Sequence, residues 1–456
     1  MKLSFYGADR NVTGSCHMVE CAGKRVLIDC GLYQGSRELA EENAEPFAFD
    51  PAGVDYVLLT HAHLDHCGRL PLLDKRGFRG EIITTDATAE LAKVVLLDSA
   101  HLQEEDARFR TKNQRRPVEP LYTLVDALHS LDHLGREAVY DTPLDLAPGI
   151  RATFIDAGHI LGSASILLEL SEAGKRATVL YSGDLGKPSG LLLKGPAKPP
   201  HADVVVMETT YGNRLHKPLA PSIEEFYVAV AETFQRGGNV IIPTFALERA
   251  QEVLFVINQG IESNRLPPSA QVFVDSPMAI SATEIMGRHL DDLQPAIADR
   301  IKSGHDPFHF PGLRFTPQHA DSMAINEVKS GAIIMAGSGM CTGGRVRHHL
   351  RHNLSRPEST VVFVGYAAVG TLARDIIDGA KDVRIFGEHV PVRARIHTIN
   401  GFSAHADQAQ LLDWHRQIAP GRTFLIHGEA DTMQSFATLL SGGQVDMPRL
   451  NQVFEL

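Results

Sequence analysis

The sequence predicts an α/β protein in which one domain is inserted into another. Three observations lead to this prediction. Short apolar strands open the chain and run into a loop rich in histidine. Between residues 213 and 395, helices alternate with strands that are apolar throughout, which is typical of a parallel sheet covered on both faces. Strand ends with histidine or aspartate occur on both sides of that region, so the first domain is expected to resume after it.

The composition is that of a soluble globular protein. The chain has 456 residues, of which 43% are apolar, and this length suffices for two or three domains. No apolar run approaches the roughly 20 residues of a membrane span, and residues 1–5 begin a strand rather than a signal peptide, so cytoplasmic residence is expected. The net charge of −11 argues against a tight, non-specific nucleic-acid binder, but not against a nuclease with a local groove.

The first residues predict three short strands, KLSFYGA, SCHMVEC and KRVLIDC. Asp29 ends the third strand, where an aspartate can cap a turn. The five cysteines are expected to be buried thiols, because their odd number and the lack of a CxxC spacing argue against disulfides and a zinc ribbon. Cys67 is the one that could instead bind a metal, since it lies next to the histidine-rich loop.

A metal-binding loop is predicted within residues 56–68, YVLLTHAHLDHCG. His61 and His63 are separated by one residue at a strand end, so both imidazoles can bind the same ion. Asp65 and His66 come one turn later and face a second position. Two metals about 3.5–4 Å apart form a hydrolytic arrangement that such a loop can build. A surface loop that is rich in histidine by chance is the alternative, but four ligand-type residues so close together rarely arise without a metal.

Beyond the loop, the pattern predicts a helix over 68–75, the strand EIITT and a long helix over 88–109. Residues 108–116, RFRTKNQRR, form the densest basic cluster of the chain. Such a run is usually a solvated face, and a contact with an RNA backbone is the alternative.

Three further strand ends carry candidate functional residues. His159 follows a glycine at a tight turn, so its ring can reach inward. Asp184 ends the second strand of a predicted hairpin, beside another glycine. Taken alone, each could have only a structural role. Glu208 ends the apolar strand DVVVME, where a buried carboxylate needs a partner.

In the inserted region, helices are predicted over 222–236, 247–258 and 344–352. Ser338, Gly339 and Met340 follow a strand and precede a helix, so their backbone amides could hold a phosphate, although a tight turn explains them about as well. Arg345 and its basic neighbours favour the phosphate contact. The first domain is expected to resume with the strand VRARIHTI, in which His397 is structural or contacts substrate, followed by a helix over 407–418 and a strand ending at His427.

These motifs resemble a known family. HAHLDH is similar to the HxHxDH signature of the metallo-β-lactamase superfamily, and ETTYG, FSAHAD and LIHGE resemble three motifs of the β-CASP nucleases, which include RNase J and the nuclease subunit of the polyadenylation cleavage factor. The sequence PTFA, with Arg249 and Gln251, resembles their inserted domain, although Glu248 stands where glycine is common. The resemblance covers nearly the whole chain and is closest to a compact bacterial type.

The resemblance implies a metallo-β-lactamase αββα sandwich over residues 1–210 and 396–456, with a β-CASP domain inserted at 211–395. It implies two zinc ions, for which manganese or iron could substitute. His61, His63 and His159 would hold one ion and Asp65, His66 and His427 the other, while Asp184 would span both. Asp29 would support the site from outside the ligand set.

The implied activity is hydrolysis of single-stranded RNA by a metal-activated hydroxide, leaving 5′-phosphate and 3′-hydroxyl ends. Asp65 is counted among the catalytic residues, together with His405 as the proton donor and Glu208 as the group that orients its ring. Ser403 joins Ser338, Gly339, Met340 and Arg345 as candidate contacts to the substrate phosphate, in a cleft between the domains. A monomer or homodimer is expected. The alternatives are a thioester or lactam hydrolase, a DNA nuclease of the same family and a scaffold subunit without activity.

Overall fold

The computed structural model describes residues 1–35, 37–114, 117–188, 190–365, 367–368 and 370–456. The chain forms two compact units. The first unit contains Met1–Leu215 and His405–Leu456, and the second contains His216–Ala404. Along the described residues, no helix is both long and apolar enough to cross a membrane.

The first unit contains two sheets, each of seven strands within the described residues. The first sheet is antiparallel at one end and parallel from its fourth strand onward. In spatial order, its strands are Gln452–Glu455, Lys2–Phe5, His17–Cys21, Lys24–Ile28, Tyr56–Leu58, Glu81–Thr84 and Leu134–Glu137.

The second sheet is also mixed. Its central strands Lys175–Tyr181, Val204–Glu208 and Arg422–Ile426 run parallel to one another. In spatial order, its strands are Gln444–Asp446, Arg422–Ile426, Val204–Glu208, Lys175–Tyr181, Ala164–Glu172, Ile150–Asp156 and Leu144–Ala147. Because the carboxyl ends of parallel strands meet at one edge, residues that directly follow these strands come close together.

An apolar core joins the two sheets, with Leu3, Phe5 and Val26 on one side and Phe154 and Val206 on the other. Helices cover the outer faces, as Leu411, Trp414 and Phe436 do for the second sheet. The expected α/β sandwich is therefore confirmed. The helices of this unit are Arg37–Glu42, Leu64–Cys67, Leu70–Lys75, Asp86–Gln114, Leu124–Leu131, Gln408–Ile418 and Ala430–Ala437.

The second unit is built on a fully parallel sheet, whose central strands are buried along their whole length. This explains why these strands are apolar throughout. In spatial order they are Leu313–Phe315, Gln271–Val274, Ala332–Ala336, Val240–Pro243, Thr360–Phe363 and Arg395–Thr398, and a hairpin pairs Asp382–Ile385 with Glu388–Pro391. The helices are Leu219–Gln235, Arg249–Glu262, Pro277–Met286, Pro295–Lys302, His319–Ala324, Val346–Asn353 and Leu372–Ile377.

Some element predictions need correction. The strand Arg395–Thr398 pairs in parallel with Thr360–Phe363 in the second unit, whereas the sequence interpretation returned it to the first domain. It is a half-exposed edge strand, so its pattern gives no sign of the sheet it joins. The predicted helix over 68–75 is present as Leu70–Lys75, and a separate short helix, Leu64–Cys67, precedes it and ends at Gly68. The helix Leu124–Leu131 and the strands Leu134–Glu137 and Leu144–Ala147 were not predicted.

Candidate metal centre

Asp29 ties the histidine-rich loop to the first sheet. Its Oδ1 accepts a hydrogen bond from the Thr60 amide, and its Oδ2 accepts one from the Thr60 hydroxyl and one from Nδ1 of His66, over 2.7–2.9 Å. The Thr60 oxygen in turn lies 3.0 Å from Nδ1 of His61. These bonds use the Nδ1 atoms of both histidines and leave both Nε2 atoms free to face the site, as in a carboxylate–histidine–metal arrangement.

Three imidazoles converge at the first position. Nδ1 of His63 lies 3.1 Å from Nε2 of His61 and 3.2 Å from Nε2 of His159. With metal–nitrogen bonds of 2.0–2.1 Å, the edge of a tetrahedral site is about 3.3 Å long. The observed spacings are close to that edge, so these three nitrogens fit a single ion.

A second group of ligand atoms lies beside the first. Nε2 of His66 is 3.2 Å from Nε2 of His427, which is 3.4 Å from Oδ2 of Asp65. His427 follows the strand Arg422–Ile426, and its Nδ1 lies 3.1 Å from the Thr210 hydroxyl. Because that hydroxyl can donate to the His427 carbonyl, it can accept from Nδ1 and keep Nε2 turned toward the other ligands.

The carboxylate of Asp184 faces both groups with different oxygens. Its Oδ2 lies 3.6 Å from Nε2 of His61 and 3.6 Å from Nε2 of His159. Its Oδ1 lies 3.4 Å from Nε2 of His66 and 3.5 Å from Nδ1 of His427. One carboxylate oxygen is thus available to each group of ligands, which is the placement that a bridging ligand needs.

Backbone crowding explains two glycines around the site. Gly158, next to His159, has φ of 60°, and a side chain there would meet Gly195, whose backbone carbon lies 2.6 Å from the Cβ position. A Cβ on Gly31 would lie 1.6 Å from the carbonyl oxygen of Asp65. The backbones of the segments that carry the predicted ligands are therefore in direct contact with neighbouring backbone, which holds these ligands in place.

Glu208 and His405 form a pair at the rim of this cluster. Oε1 of the fully buried Glu208 accepts a hydrogen bond from Nδ1 of His405 over 3.2 Å and from the Leu185 amide over 2.7 Å. The same nitrogen of His405 lies 4.0 Å from Oδ2 of Asp184. The side chains of His405 and Asp65 are 20% and 17% exposed, whereas Asp184 is 2% exposed, so substrate can approach from the side of His405 and Asp65.

The charges around the site favour neutral imidazoles in the first group. Burial, reinforced by neighbouring histidines, holds the pKa values of His61 and His159 well below their usual range and lowers the pKa of His63 to about 4. Neutral imidazole is the form that binds metals. Burial would also lower the pKa of His405, but the carboxylates of Glu208, Asp184 and Asp65 outweigh it and raise that pKa to about 8.

The predicted ligands come together in the structure, in groups within which ligand atoms lie within 4.8 Å of one another. These groups are His61, His63, His159 and Asp184, then Asp65, His66 and His427, and then Asp184, Glu208 and His405. The donors are nitrogen and carboxylate oxygen, which suit zinc, manganese or iron. Cys67 is buried, and its thiol lies 3.4 Å from the Ala62 carbonyl, a contact within the loop.

The candidate phosphate contacts lie in the second unit. The Ser338 hydroxyl is within 3.4 Å of the Gly343 amide and carbonyl, Met340 and Ser403 are largely buried, and Gly339 packs on Phe245. Arg345 points into its own unit. Its two terminal nitrogens donate to Asp275 and to the carbonyls of Thr316 and Pro317 over 2.6–2.8 Å.

The basic cluster is partly neutralised along its own helix. Arg108 and Arg110 lie 3.6 Å from Glu104 and Asp106, one turn earlier. Arg115 and Arg116 lie outside the described residues. These pairings fit the solvated face expected of such a run.

Sequence reasoning did not single out Thr60 and Thr210 as functional. Each hydroxyl lies beside the second nitrogen of a predicted ligand histidine, and Thr60 directly precedes His61, whereas Thr210 comes two residues after Glu208. That position is the signal that could have identified them, because a ligand histidine needs a partner for its other nitrogen.

Three protein-family models match the chain. A metallo-beta-lactamase superfamily model matches residues 10–217, and a Beta-Casp domain model matches residues 250–376. A model described as a Zn-dependent metallo-hydrolase RNA specificity domain matches residues 389–448.

Similar proteins cover almost the full chain. Ribonuclease TTHA0252 of Thermus thermophilus is 40% identical over 454 residues, which are 99% of each chain. An RNase J-like protein of Methanocaldococcus jannaschii is 32% identical and covers 95% of this chain and 94% of its own. Transcription termination factor FttA of the same organism is 30% identical over 96% of this chain and 68% of its own length.

One solved structure has the same overall fold at low sequence identity. It is a protein of unknown function from Enterococcus faecalis V583, with a TM-score of 0.57 and 12% identity over 100% of this chain and 99% of that chain.

Proposed function

Because this chain belongs to the β-CASP family of metallo-β-lactamase-fold hydrolases, we propose that it is a zinc-dependent ribonuclease that cleaves single-stranded RNA. The observation that carries the proposal is the position of the Glu208–His405 pair, with His405 4.0 Å from the Asp184 carboxylate. Metal-dependent phosphodiester hydrolysis uses a proton donor for the leaving group next to the metal ligands, and this pair lies in that position. The 40% identity with a ribonuclease over 99% of both chains supports RNA as the substrate.

We assign His61, His63 and His159 to one zinc ion and Asp65, His66 and His427 to the other, with Asp184 shared between them. When bound, two such cations supply Lewis acidity that activates water near neutral pH and neutralises charge on the phosphate oxygens. Asp29 and Thr60 hold His66 and His61 through their Nδ1 atoms, so the ligands keep their orientation between turnovers.

His405 moves the proton that the leaving group needs. Its Nδ1–H is held by Glu208, so Nε2 carries the proton that passes to the departing 3′-oxygen of the ribose. The products are an RNA with a 3′-hydroxyl and an RNA with a 5′-phosphate. Glu208 stabilises the positive charge of the ring before transfer and fixes its orientation.

For phosphate binding we retain Ser338, Gly339, Met340 and Ser403 as proposed contacts and give Arg345 a structural role. Arg345 already donates to Asp275, Thr316 and Pro317, which fixes its terminal nitrogens within the second unit. We further propose that the enzyme acts in the cytoplasm, where its RNA substrate is found, as a monomer or homodimer.

The test compares substrates and variants. Purified protein is incubated with labelled single-stranded RNA, DNA of the same sequence and a thioester, each with and without a chelator. RNA cleavage that yields 5′-phosphate ends and is lost with chelator supports the proposal, and His405→Ala should remove it while zinc content is retained.

The matched control is His101→Ala, which removes an exposed histidine of the long helix and should cleave RNA normally. Preferential cleavage of DNA would replace RNA with DNA as the substrate. Thioester turnover that survives His405→Ala would contradict a nuclease altogether.

A further inference from the structure

A small cavity lies between the two sheets of the first unit, on the core side of the metal ligands. Its volume is about 10 Å³, close to the space that one water molecule needs. Ile28, Val206 and Ile426 of the core between the sheets form part of its wall. Of the metal ligands assigned within the described chain, only His66, Asp184 and His427 border it.

Three residues of this wall have a buried polar atom without a hydrogen-bond partner among the described residues. These atoms are Nδ1 of His17, Oη of Tyr181 and Oδ1 of Asp184, and their side chains are at most 2% exposed. An unsatisfied buried polar atom costs about 1–3 kcal/mol, so Nδ1 of His17 and Oη of Tyr181 call for a partner in the cavity, whereas Oδ1 of Asp184 also faces Nε2 of His66 at 3.4 Å. We propose that the cavity holds an ordered water molecule and that His17 and Tyr181 position the Asp184 carboxylate through it.

In this arrangement, each hydrogen-bond donor has an acceptor. Nε2 of His17 lies 3.4 Å from the Ser15 hydroxyl, and donation to that oxygen leaves Nδ1 of His17 as an acceptor. The water then donates one proton to this nitrogen and the other to Oδ1 of Asp184, and it accepts the proton of the Tyr181 hydroxyl. The His17 and Tyr181 rings lie at an interplanar angle of 22° with centroids 6.3 Å apart, and both residues line the cavity.

The water acts on the oxygen of Asp184 that faces the second group of ligands. That Oδ1 lies 3.4 Å from Nε2 of His66, whereas Oδ2 faces the first group. Holding Oδ1 from the core side prevents the carboxylate from rotating away from its bridging orientation. His17 and Tyr181 are thus positioning residues for metal binding, and this role rests on the proposed metal centre but not on RNA as the substrate.

Tyr181→Phe tests this role, because it removes only the hydroxyl. The zinc affinity of the full-length protein is measured by competition with a chromogenic chelator, without RNA. We expect the dissociation constant of the weaker ion to rise about 10- to 100-fold, as for other groups that support metal ligands. The matched control is Tyr122→Phe, which removes a buried hydroxyl of the same unit that is bonded to Ser99 and does not border the cavity. This control should bind zinc normally.

A pair of substitutions at His17 separates the hydrogen bond from packing. In His17→Asn a side-chain oxygen can take the place of Nδ1, whereas His17→Leu has no acceptor, so Asn should retain more zinc affinity than Leu. A high-resolution crystal structure of the unchanged protein should show electron density for one water molecule among the three polar atoms.

Two results would overturn the proposal. One is a cavity without electron density, and the other is a Tyr181→Phe protein that binds zinc as tightly as Tyr122→Phe. A protein that binds zinc as expected but does not cleave RNA would contradict the proposed function alone, because neither result depends on RNA.

Discussion

The Glu208 carboxylate holds Nδ1 of His405 at 3.2 Å, although the two residues are separated by 197 positions in sequence. The second oxygen of the same carboxylate accepts a hydrogen bond from the Thr210 amide over 3.2 Å. The ring of His405 therefore depends on a side chain that is itself fixed by the backbone at the end of the strand Val204–Glu208. In the proposed mechanism, Glu208 therefore orients the ring, whereas His405 donates the proton.

The first prediction separates these two roles. His405→Ala should lower kcat for RNA cleavage by about 10²- to 10⁴-fold, because it removes the proton donor. Glu208→Gln should lower kcat less, with little change in KM, because the donor is still present but poorly oriented. In the His405→Ala protein, adding Glu208→Gln should cost little more, since its main effect is exerted through that ring. Single-turnover cleavage of labelled RNA measures the rates of the two single variants and the double variant. Losses that multiply in the double variant would show that Glu208 acts independently of His405.

The second prediction concerns the shared carboxylate. Asp184→Asn removes the negative charge that faces both groups of ligands and converts one of the two oxygens to an amide nitrogen that cannot bind a metal, so it should weaken zinc binding by about 100-fold. Metal content after dialysis, measured by mass spectrometry, and RNA cleavage should fall together. Asp145→Asn is the control, because Asp145 is itself exposed and its ion pair with Arg151 contributes little. Retention of a full complement of zinc by Asp184→Asn would exclude a bridging role.

The strand ends were the part of the site that sequence could predict. His159, Asp184 and His427 lie just after strands of the second sheet, whose carboxyl ends share one edge. His61 lies just after the strand Tyr56–Leu58 of the first sheet, which packs against the second. Their assignment to two ions came from the resemblance to a family. Spacing alone would have left structural roles open.

The orientation of Arg345 could not be predicted, because it depends on a partner that is distant in the chain. A basic residue beside a glycine-rich turn indicates a phosphate contact when only local sequence is considered. The buried Asp275 lies 70 positions earlier, and it becomes a neighbour only when the parallel sheet forms. The sheet to which the strand Arg395–Thr398 belongs could not be predicted either, because its half-exposed pattern fits the edge of a sheet in either unit.

The third prediction concerns Asp29, whose carboxylate binds Thr60 and His66 and which we place outside the proposed set of metal ligands. Asp29→Ala leaves three buried donors without their acceptor, so the free energy of unfolding should fall by about 3 kcal/mol or more. Zinc affinity should fall about 10- to 100-fold, because His66 loses its orientation. Chelator competition and urea unfolding measure the two effects.

Asp55→Ala provides the comparison for Asp29. Asp55 is a partly exposed carboxylate beside the same sheet that accepts hydrogen bonds from Lys24 and the Arg25 amide. The Asp55→Ala protein should be somewhat less stable than the unchanged protein and should bind zinc equally tightly. Equal loss of zinc affinity in both variants would mean that Asp29 acts only through general stability.

The fourth prediction concerns the buried network of the second unit. Oδ1 of Asp275 accepts a hydrogen bond from Arg345, and Oδ2 accepts bonds from His349 and Ser322, over 2.6–2.8 Å. Asp275→Asn leaves the Arg345 guanidinium without its counterion and should lower the free energy of unfolding by about 3–5 kcal/mol. Zinc content should not change, because the assigned ligands belong to the first unit. Asp378→Asn, which breaks an exposed pair with Arg374, is the control.

The pH dependence of this stability has a defined sign. Burial alone would raise the pKa of Asp275, but hydrogen bonds from His349, Ser322 and Arg345 outweigh it and lower the pKa from 3.8 to about 2. A depressed pKa means that the stabilisation is complete above the unfolded-state value and is lost as pH falls through the folded-state value. The stability difference between the unchanged protein and Asp275→Asn should therefore be constant above about pH 4 and shrink toward pH 2. Urea unfolding over this range measures it.

Arg345→Met distinguishes the structural role of this network from a phosphate contact. If Arg345 serves Asp275, the substitution should lower the midpoint of unfolding and leave the KM for RNA nearly unchanged, since its donors already hold Asp275, Thr316 and Pro317. If it binds phosphate, KM should rise while the midpoint stays constant. The buried carboxylate of Asp275 favours the first outcome, because removing one partner of a buried pair leaves the other charge uncompensated.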